Sequence, residues 1–143
     1  MNILFLCVAN SARSQIAEGL ARNILPVSFH VESAGSEPSG VVNPFSIEVM
    51  QEINIDISGF RSKFYEELQP SFLAGIDFVI SLCAEEVCPT MMIGSGAQKL
   101  RWPFPDPASG TGTHEEKLQA FRNVRDQIRQ KILDLQVNNL WRD

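Results

Sequence analysis

The 143-residue sequence has no apolar run approaching the roughly 18 to 20 residues that a membrane-spanning helix needs. Its apolar start, Ile3 to Val8, is too short for a signal-peptide core and has no basic segment before it. Surplus positive charge is missing as well. The 12 Lys plus Arg stand against 17 Asp plus Glu, a formal net charge of -5, so nothing in the overall balance recruits nucleic acid or an anionic membrane. Any anion-binding site must be local. Histidine is scarce: only His30 and His114 occur, neither at ligand spacing from a cysteine, so no metal site is expected. Cysteine is scarce and odd in number. Cys7, Cys83 and Cys88 argue against a secreted disulfide framework and for thiols kept reduced until used. Repeats, linkers and low-complexity tracts are absent too. What remains is a cytoplasmic globular chain, expected to form a single domain over residues 1–143 that buries one core without disulfide or metal support.

Apolar patterning predicts alternating strands and helices. Ile3 to Leu6 is a short apolar run of the kind that forms a strand covered on both faces. From Ser11 the pattern turns helical, with Ile16, Leu20, Ile24 and the small Ala17 and Ala21 on one side. Phe29, Val31 and Ser33 alternate into a second strand ended by Ala34-Gly35, and Pro44 opens a helix with Ile47, Val49, Met50 and Ile53 as its apolar positions. Phe78 to Ile80 and Lys99 to Trp102 read as two further strands. Leu118, Phe121, Val124, Ile128, Ile132 and Leu135 recur at spacings of three and four, which gives a long C-terminal helix. This alternation implies an α/β fold: a three-layer sandwich around a parallel sheet with right-handed crossovers.

In such a sheet, ligands bind beyond the carboxyl ends of the strands, where Cys7 closes the first one. The tight passage Val8, Ala9, Asn10, Ser11, Ala12 can turn successive N–H groups inward as an anion nest, and the helix start adds partial positive charge. Both favour thiolate over thiol at Cys7. Arg13 falls in the first helical turn, where its planar guanidinium can hold two oxygens of a tetrahedral oxyanion. Ser14 can donate its hydroxyl to the sulfur, and Asn10 can bond neighbouring backbone groups and hold the loop's shape. A lone cysteine is ordinarily a small buried hydrophobe. Here the strand end, the helix start and the Asn-Ser-Ala-Arg-Ser run combine into an active-site reading.

The run Cys7-Val-Ala-Asn-Ser-Ala-Arg13-Ser14, followed by Gln15-Ile-Ala-Glu18-Gly19, resembles the phosphate loop of the low-molecular-weight protein tyrosine phosphatases and of the arsenate reductases that share their fold. The likeness continues through Ser33-Ala34-Gly35, Val42-Asn43-Pro44, Ile55-Asp56-Ile57-Ser58 and Trp102 to Ala108. It implies a four-stranded parallel sheet flanked by helices. It also implies a general acid in an Asp-Pro motif, which matches Asp106-Pro107. The chemistry wants that acid independently, because the oxygen that departs when a thiolate attacks an oxyanion must be protonated.

Electron count separates the two activities. Phosphoester hydrolysis consumes no electrons, so one cysteine suffices, whereas reducing arsenate to arsenite takes two, which a pair of thiols can give by ending as a disulfide. Cys83 ends the third strand, on the rim that carries Cys7, and Cys88 follows five residues later. The resemblance implies that Cys7 forms a covalent arseno adduct and that Cys83 then attacks Cys7, releasing arsenite. Cys88 finally takes over Cys83 in a Cys83–Cys88 disulfide, which is passed to an external thiol donor. That donor is thioredoxin, or alternatively glutaredoxin with glutathione. Five helical residues span about 7.5 Å, beyond the roughly 6.8 Å that Cα atoms in a disulfide tolerate, so a helix over Ala84 to Val87 would have to unwind. The spacing of Cys83 and Cys88 is shorter than in many such reductases.

Several members of the family bind potassium beside the phosphate loop through residues matching Asn10, Glu18 and Ser33, with an aspartate as a further ligand. Lys63 stands at the aspartate's place, so the resemblance predicts no cofactor, with the lysine ammonium in place of the cation near Glu18. The phosphatases place an aromatic residue after the Asp-Pro motif, whereas this chain has Ala108 and Ser109, and Ser36 to Gly40 carries no aromatic. A small inorganic anion is therefore favoured: arsenate, with phosphate or sulfate as competitors. Two alternatives stay open, a phosphatase using Cys7, Arg13 and Asp106, and a non-catalytic oxyanion or thiol sensor.

Overall fold

A computed structural model of the chain describes residues 1–83, 96–138 and 141. Four strands, β1 (Asn2–Cys7), β2 (His30–Gly35), β3 (Phe78–Cys83) and β4 (Gln98–Phe104), form one sheet in the order β2-β1-β3-β4. Every pairing in it is parallel. The helices are α1 (Arg13–Ile24), α2 (Pro44–Gln51), α3 (Pro70–Ala74) and α4 (His114–Val137). The expected α/β sandwich with a four-stranded parallel sheet is the fold observed.

The two central strands, β1 and β3, are largely apolar on both faces because each face is covered. Ile3, Phe5, Phe78, Ile80 and Leu82 pack with Ile16 and Leu20 of α1, Val49 of α2, and Phe121 and Ile128 of α4. Alternate residues Leu4, Leu6 and Val79 point the other way, to Leu68, Ile76 and Phe72 of α3. This period-two division makes three layers around one central sheet. At the far end of the sheet, Trp141 meets Phe78 edge-on at 5.3 Å.

Three of the helices depart from the sequence reading. α1 begins at Arg13, not Ser11, because Asn10 has φ 48° and Ala12 has φ -123° and ψ -85°, neither of them helical. α2 is started by Asn43, whose side chain accepts from the Phe45 N–H, with Pro44 next to it. It stops at Gln51, short of Ile53, where the chain turns toward the left-handed Asn54 at φ 64°. α3, five residues long, has too little periodicity to be read from sequence.

Candidate active site

The parallel sheet brings Cys7, Gly35, Cys83 and Phe104 to one rim, since each ends its strand. β1 is central and is apolar and buried from Ile3 onward, so Cys7, 4% exposed, is set at that rim by a buried strand. It is a free thiol. The chain then runs through Val8 to Ala12 into α1.

External donors hold the carbonyls of this loop. Glu37 N–H bonds to Val8 O at 2.9 Å, Ser39 N–H and the Ser62 hydroxyl to Ala9 O at 3.0 Å each, and Asn43 N–H to Ser11 O at 2.9 Å. These bonds engage the carbonyls from segments outside the loop. Among the described residues, none of the N–H groups of Ala9 to Ala12 donates to a backbone carbonyl. Among the described residues, no side chain caps the start of α1. The N–H groups of this loop, beside the start of α1, suit an anion. Gly35 lets β2 approach this closely, because a Cβ there would stand 2.4 Å from Val8 O and 3.0 Å from Asn10 N.

Asn10 is fully buried and ties the loop together. Its Nδ2 donates to Ser14 Oγ at 2.7 Å and to Ser33 Oγ at 3.0 Å, while its Oδ1 accepts from Lys63 N–H at 2.9 Å and Gln15 Nε2 at 3.0 Å. These bonds fix which end of the amide is which. Ser14 Oγ accepts from Asn10 and lies 2.8 Å from Cys7 Sγ, where its hydroxyl can donate to the sulfur once Cys7 is a thiolate. Gln15 also reaches Arg61 O at 2.9 Å. Its role as a brace was not evident in the sequence, where a glutamine in an apolar helix carries no such signal.

Behind the loop lies a buried ionic group. Glu18 Oε1 accepts from the Ser33 hydroxyl at 2.6 Å and stands 3.7 Å from Lys63 Nζ, while Oε2 meets Arg22 Nε at 3.0 Å. Burial pushes the Glu18 carboxyl above its ordinary value, and Lys63, Ser33 and Arg22 draw it part of the way back. Lys63 Nζ also donates to Arg61 O at 3.3 Å. Among the described residues, no three His, Cys, Asp or Glu side chains gather as a metal site.

The other predicted residues lie on neighbouring segments. Arg13, 6% exposed, donates from Nη1 to Phe104 O at 2.9 Å and reaches Leu82 O at 3.5 Å, which ties it to the ends of β4 and β3. Asp106 is half-buried just beyond β4, where its Oδ1 accepts from Ala108 N–H at 2.9 Å and its carbonyl from the Ser109 hydroxyl at 2.8 Å. Ala108 and Ser109 are exposed. Cys83 is 1% exposed and disulfide-bonded. Cys88, like Ala84 to Val87 and the Met91-Met92 pair, lies outside the described residues.

The sequence model described as low molecular weight phosphotyrosine protein phosphatase matches residues 2–143. An arsenate reductase of Halalkalibacterium halodurans is 43% identical over 132 residues, covering 91% of this chain and 91% of that protein. A solved arsenate reductase in the phosphate binding state superposes with a TM-score of 0.78 at 33% identity, over 94% of this chain and 95% of that one. A thioredoxin-dependent arsenate reductase of Corynebacterium glutamicum aligns with a TM-score of 0.68 at 28% identity, over 96% of this chain and 62% of that one.

Proposed function

The chain belongs to the low molecular weight phosphotyrosine protein phosphatase family, and from that premise we propose that it is an arsenate reductase, acting through Cys7, Cys83 and Cys88. The observation that carries the reading is the placement of two thiol positions on adjacent strand ends. Leu6 pairs with Ser81, so Cys7 and Cys83 close neighbouring strands within about one residue of each other, and Cys83 is already in a disulfide.

The thiolate of Cys7 attacks arsenate held by the N–H groups of Val8 to Arg13 and by the Arg13 guanidinium, with Ser14 bonded to the sulfur and Asn10 holding the loop. Asp106 supplies the proton with which one arsenate oxygen leaves as water. Cys83 then attacks the Cys7 sulfur. The sulfur–arsenic electron pair goes to arsenic, arsenite leaves, and the two thiols have given two electrons. Cys88 attacks Cys83, which frees Cys7, and an external dithiol reduces the Cys83–Cys88 bond. Thioredoxin is the donor we favour, in keeping with the thioredoxin-dependent relative. Phosphate or sulfate would compete for the loop.

Exposed Ala108 and Ser109 stand where the phosphatases place an aromatic residue after the Asp-Pro motif, which supports a small inorganic anion over an aryl phosphate. The Lys63 ammonium beside Glu18 supports a built-in cation where relatives use potassium. We place the enzyme in the cytoplasm as a single domain. Among the described residues, no helix is long and apolar enough to cross a membrane.

Single-turnover arsenite release tests the reading. Reduced wild type should release one arsenite, Cys7→Ser and Cys83→Ser none, and Cys88→Ser one without further turnover. Arsenite release by Cys83→Ser would sink the cascade, and phosphoester hydrolysis that survives in Cys83→Ser, with no arsenite released by any form, would favour a phosphatase.

A further inference from the structure

A guanidinium as buried as that of Arg13 must keep its charge hydrogen-bonded. Its Nη1 is seated on the carbonyls that close two strands: Phe104 O at 2.9 Å and Leu82 O at 3.5 Å. Leu82 immediately precedes Cys83. Cys83 in turn pairs with Phe104, just past a register irregularity between Ser81 and Cys83. The cation that an oxyanion needs is thus anchored to the strand end that carries the second thiol, in a structure where that thiol is oxidised.

We propose that Arg13 couples oxyanion affinity to the redox state of Cys83, so that the loop binds its anion more tightly when Cys83 is a thiol than when it is in a disulfide. The proposal rests on the redox role given to Cys83 above. With the end of β3 held by a disulfide, both carbonyls keep Nη1, and an anion must compete with them for that donor. Reduction frees the end of β3 to shift at its register irregularity. The 3.5 Å contact to Leu82 O is the weaker of the two and is lost first. A hydrogen bond to an anionic oxygen is roughly twice as strong as one to a neutral carbonyl, so the guanidinium then turns to the anion. The oxidised enzyme is thereby kept from holding a fresh arsenate before its thiols are restored. Coupling of this kind is reciprocal, so the anion must also favour the dithiol.

The test uses the full chain carrying Cys7→Ser, in which oxidation can join only Cys83 and Cys88 and cannot block the loop through Cys7. Phosphate is titrated calorimetrically into the reduced and oxidised forms, and into Cys7→Ser/Cys83→Ser carried through the same oxidation. The reduced form should bind about tenfold more tightly, and the double variant should not respond to oxidation. Saturating phosphate should raise the midpoint of the disulfide in a dithiothreitol buffer by about 30 mV, the equivalent of tenfold for two electrons. Adding Arg13→Lys should weaken binding in both states and bring their ratio close to one. Equal affinities, or tighter binding by the oxidised form, would overturn the proposal while leaving the cascade intact. If thiol counting finds no disulfide after oxidation, the role of Cys83 fails and the proposal fails with it.

Discussion

Ser14 Oγ stands 2.8 Å from Cys7 Sγ while accepting from Asn10 Nδ2 at 2.7 Å, so once Cys7 is a thiolate this hydroxyl is the donor to the sulfur. A hydrogen bond to a charged acceptor contributes roughly 1.5–3 kcal/mol, the lower figure being about a factor of ten in rate. Ser14→Ala should slow the reaction of Cys7 with iodoacetamide at neutral pH by about tenfold or more. An unchanged alkylation rate would show that the sulfur does not depend on this hydroxyl.

Lys63 and Glu18 form an ion pair in which both side chains are at least nine-tenths buried. Breaking such a pair costs roughly 3–5 kcal/mol when a charge is stranded. Arg22 still holds Glu18 Oε2 at 3.0 Å, so Lys63→Met should lose less, about 2 kcal/mol. Its thermal midpoint and phosphate affinity should rise with potassium chloride but not with choline chloride. Wild type should answer both salts alike, and a potassium response there would remove the lysine from the cation's role.

Glu52 accepts from Arg122 Nε and Nη2 and from Arg125 Nη1, at 2.8 to 3.0 Å, and this pins α2 to α4. The Arg122 hydrogen bonds are the main reason its carboxyl lies below the ordinary 4.5, with Arg125 adding to them. A carboxyl with a lowered folded value binds fewer protons folded than unfolded, so its contribution is present above pH 4.5 and lost as pH falls through the lowered value. Glu52→Gln should therefore cost about 1 kcal/mol at neutral pH, given its partial exposure. The gap to wild type in urea midpoints should narrow as pH falls below 4.5.

Gly35→Ala should damage the loop from outside it. The new Cβ would stand 2.4 Å from Val8 O, a backbone atom that is bonded to Glu37 N–H and cannot step aside. Overpacking of this kind costs typically 1–3 kcal/mol. The variant should fold with a lowered thermal midpoint and lose phosphate binding, whereas Gly59→Ala, which meets open space, should keep both.

The segment from β1 into α1 was legible because its signals are local: an apolar run, a thiol, small polar residues and then a helical period. The long period of α4 was legible for the same reason, and its Thr113 cap with Glu116 three residues on is equally local. The Glu52 to Arg122 contact joins positions 70 apart, and nothing in either neighbourhood marks the partner. Likewise the sequence suggested that Arg13 would hold an anion, but not that the carbonyls of Leu82 and Phe104 would hold Arg13. Those carbonyls exist at one rim only because the strand order is β2-β1-β3-β4. Contacts made through backbone atoms leave no trace in residue identity.

The externally bonded carbonyls of Val8, Ala9 and Ser11 bear on what binding has to do. Fixing the backbone of one residue costs roughly 1–2 kcal/mol of conformational entropy. For this loop that ordering is completed when the chain folds, with Asn10 already in its left-handed conformation. Anion capture here is consequently a desolvation event more than an ordering one, and its speed is set by how readily water leaves the loop.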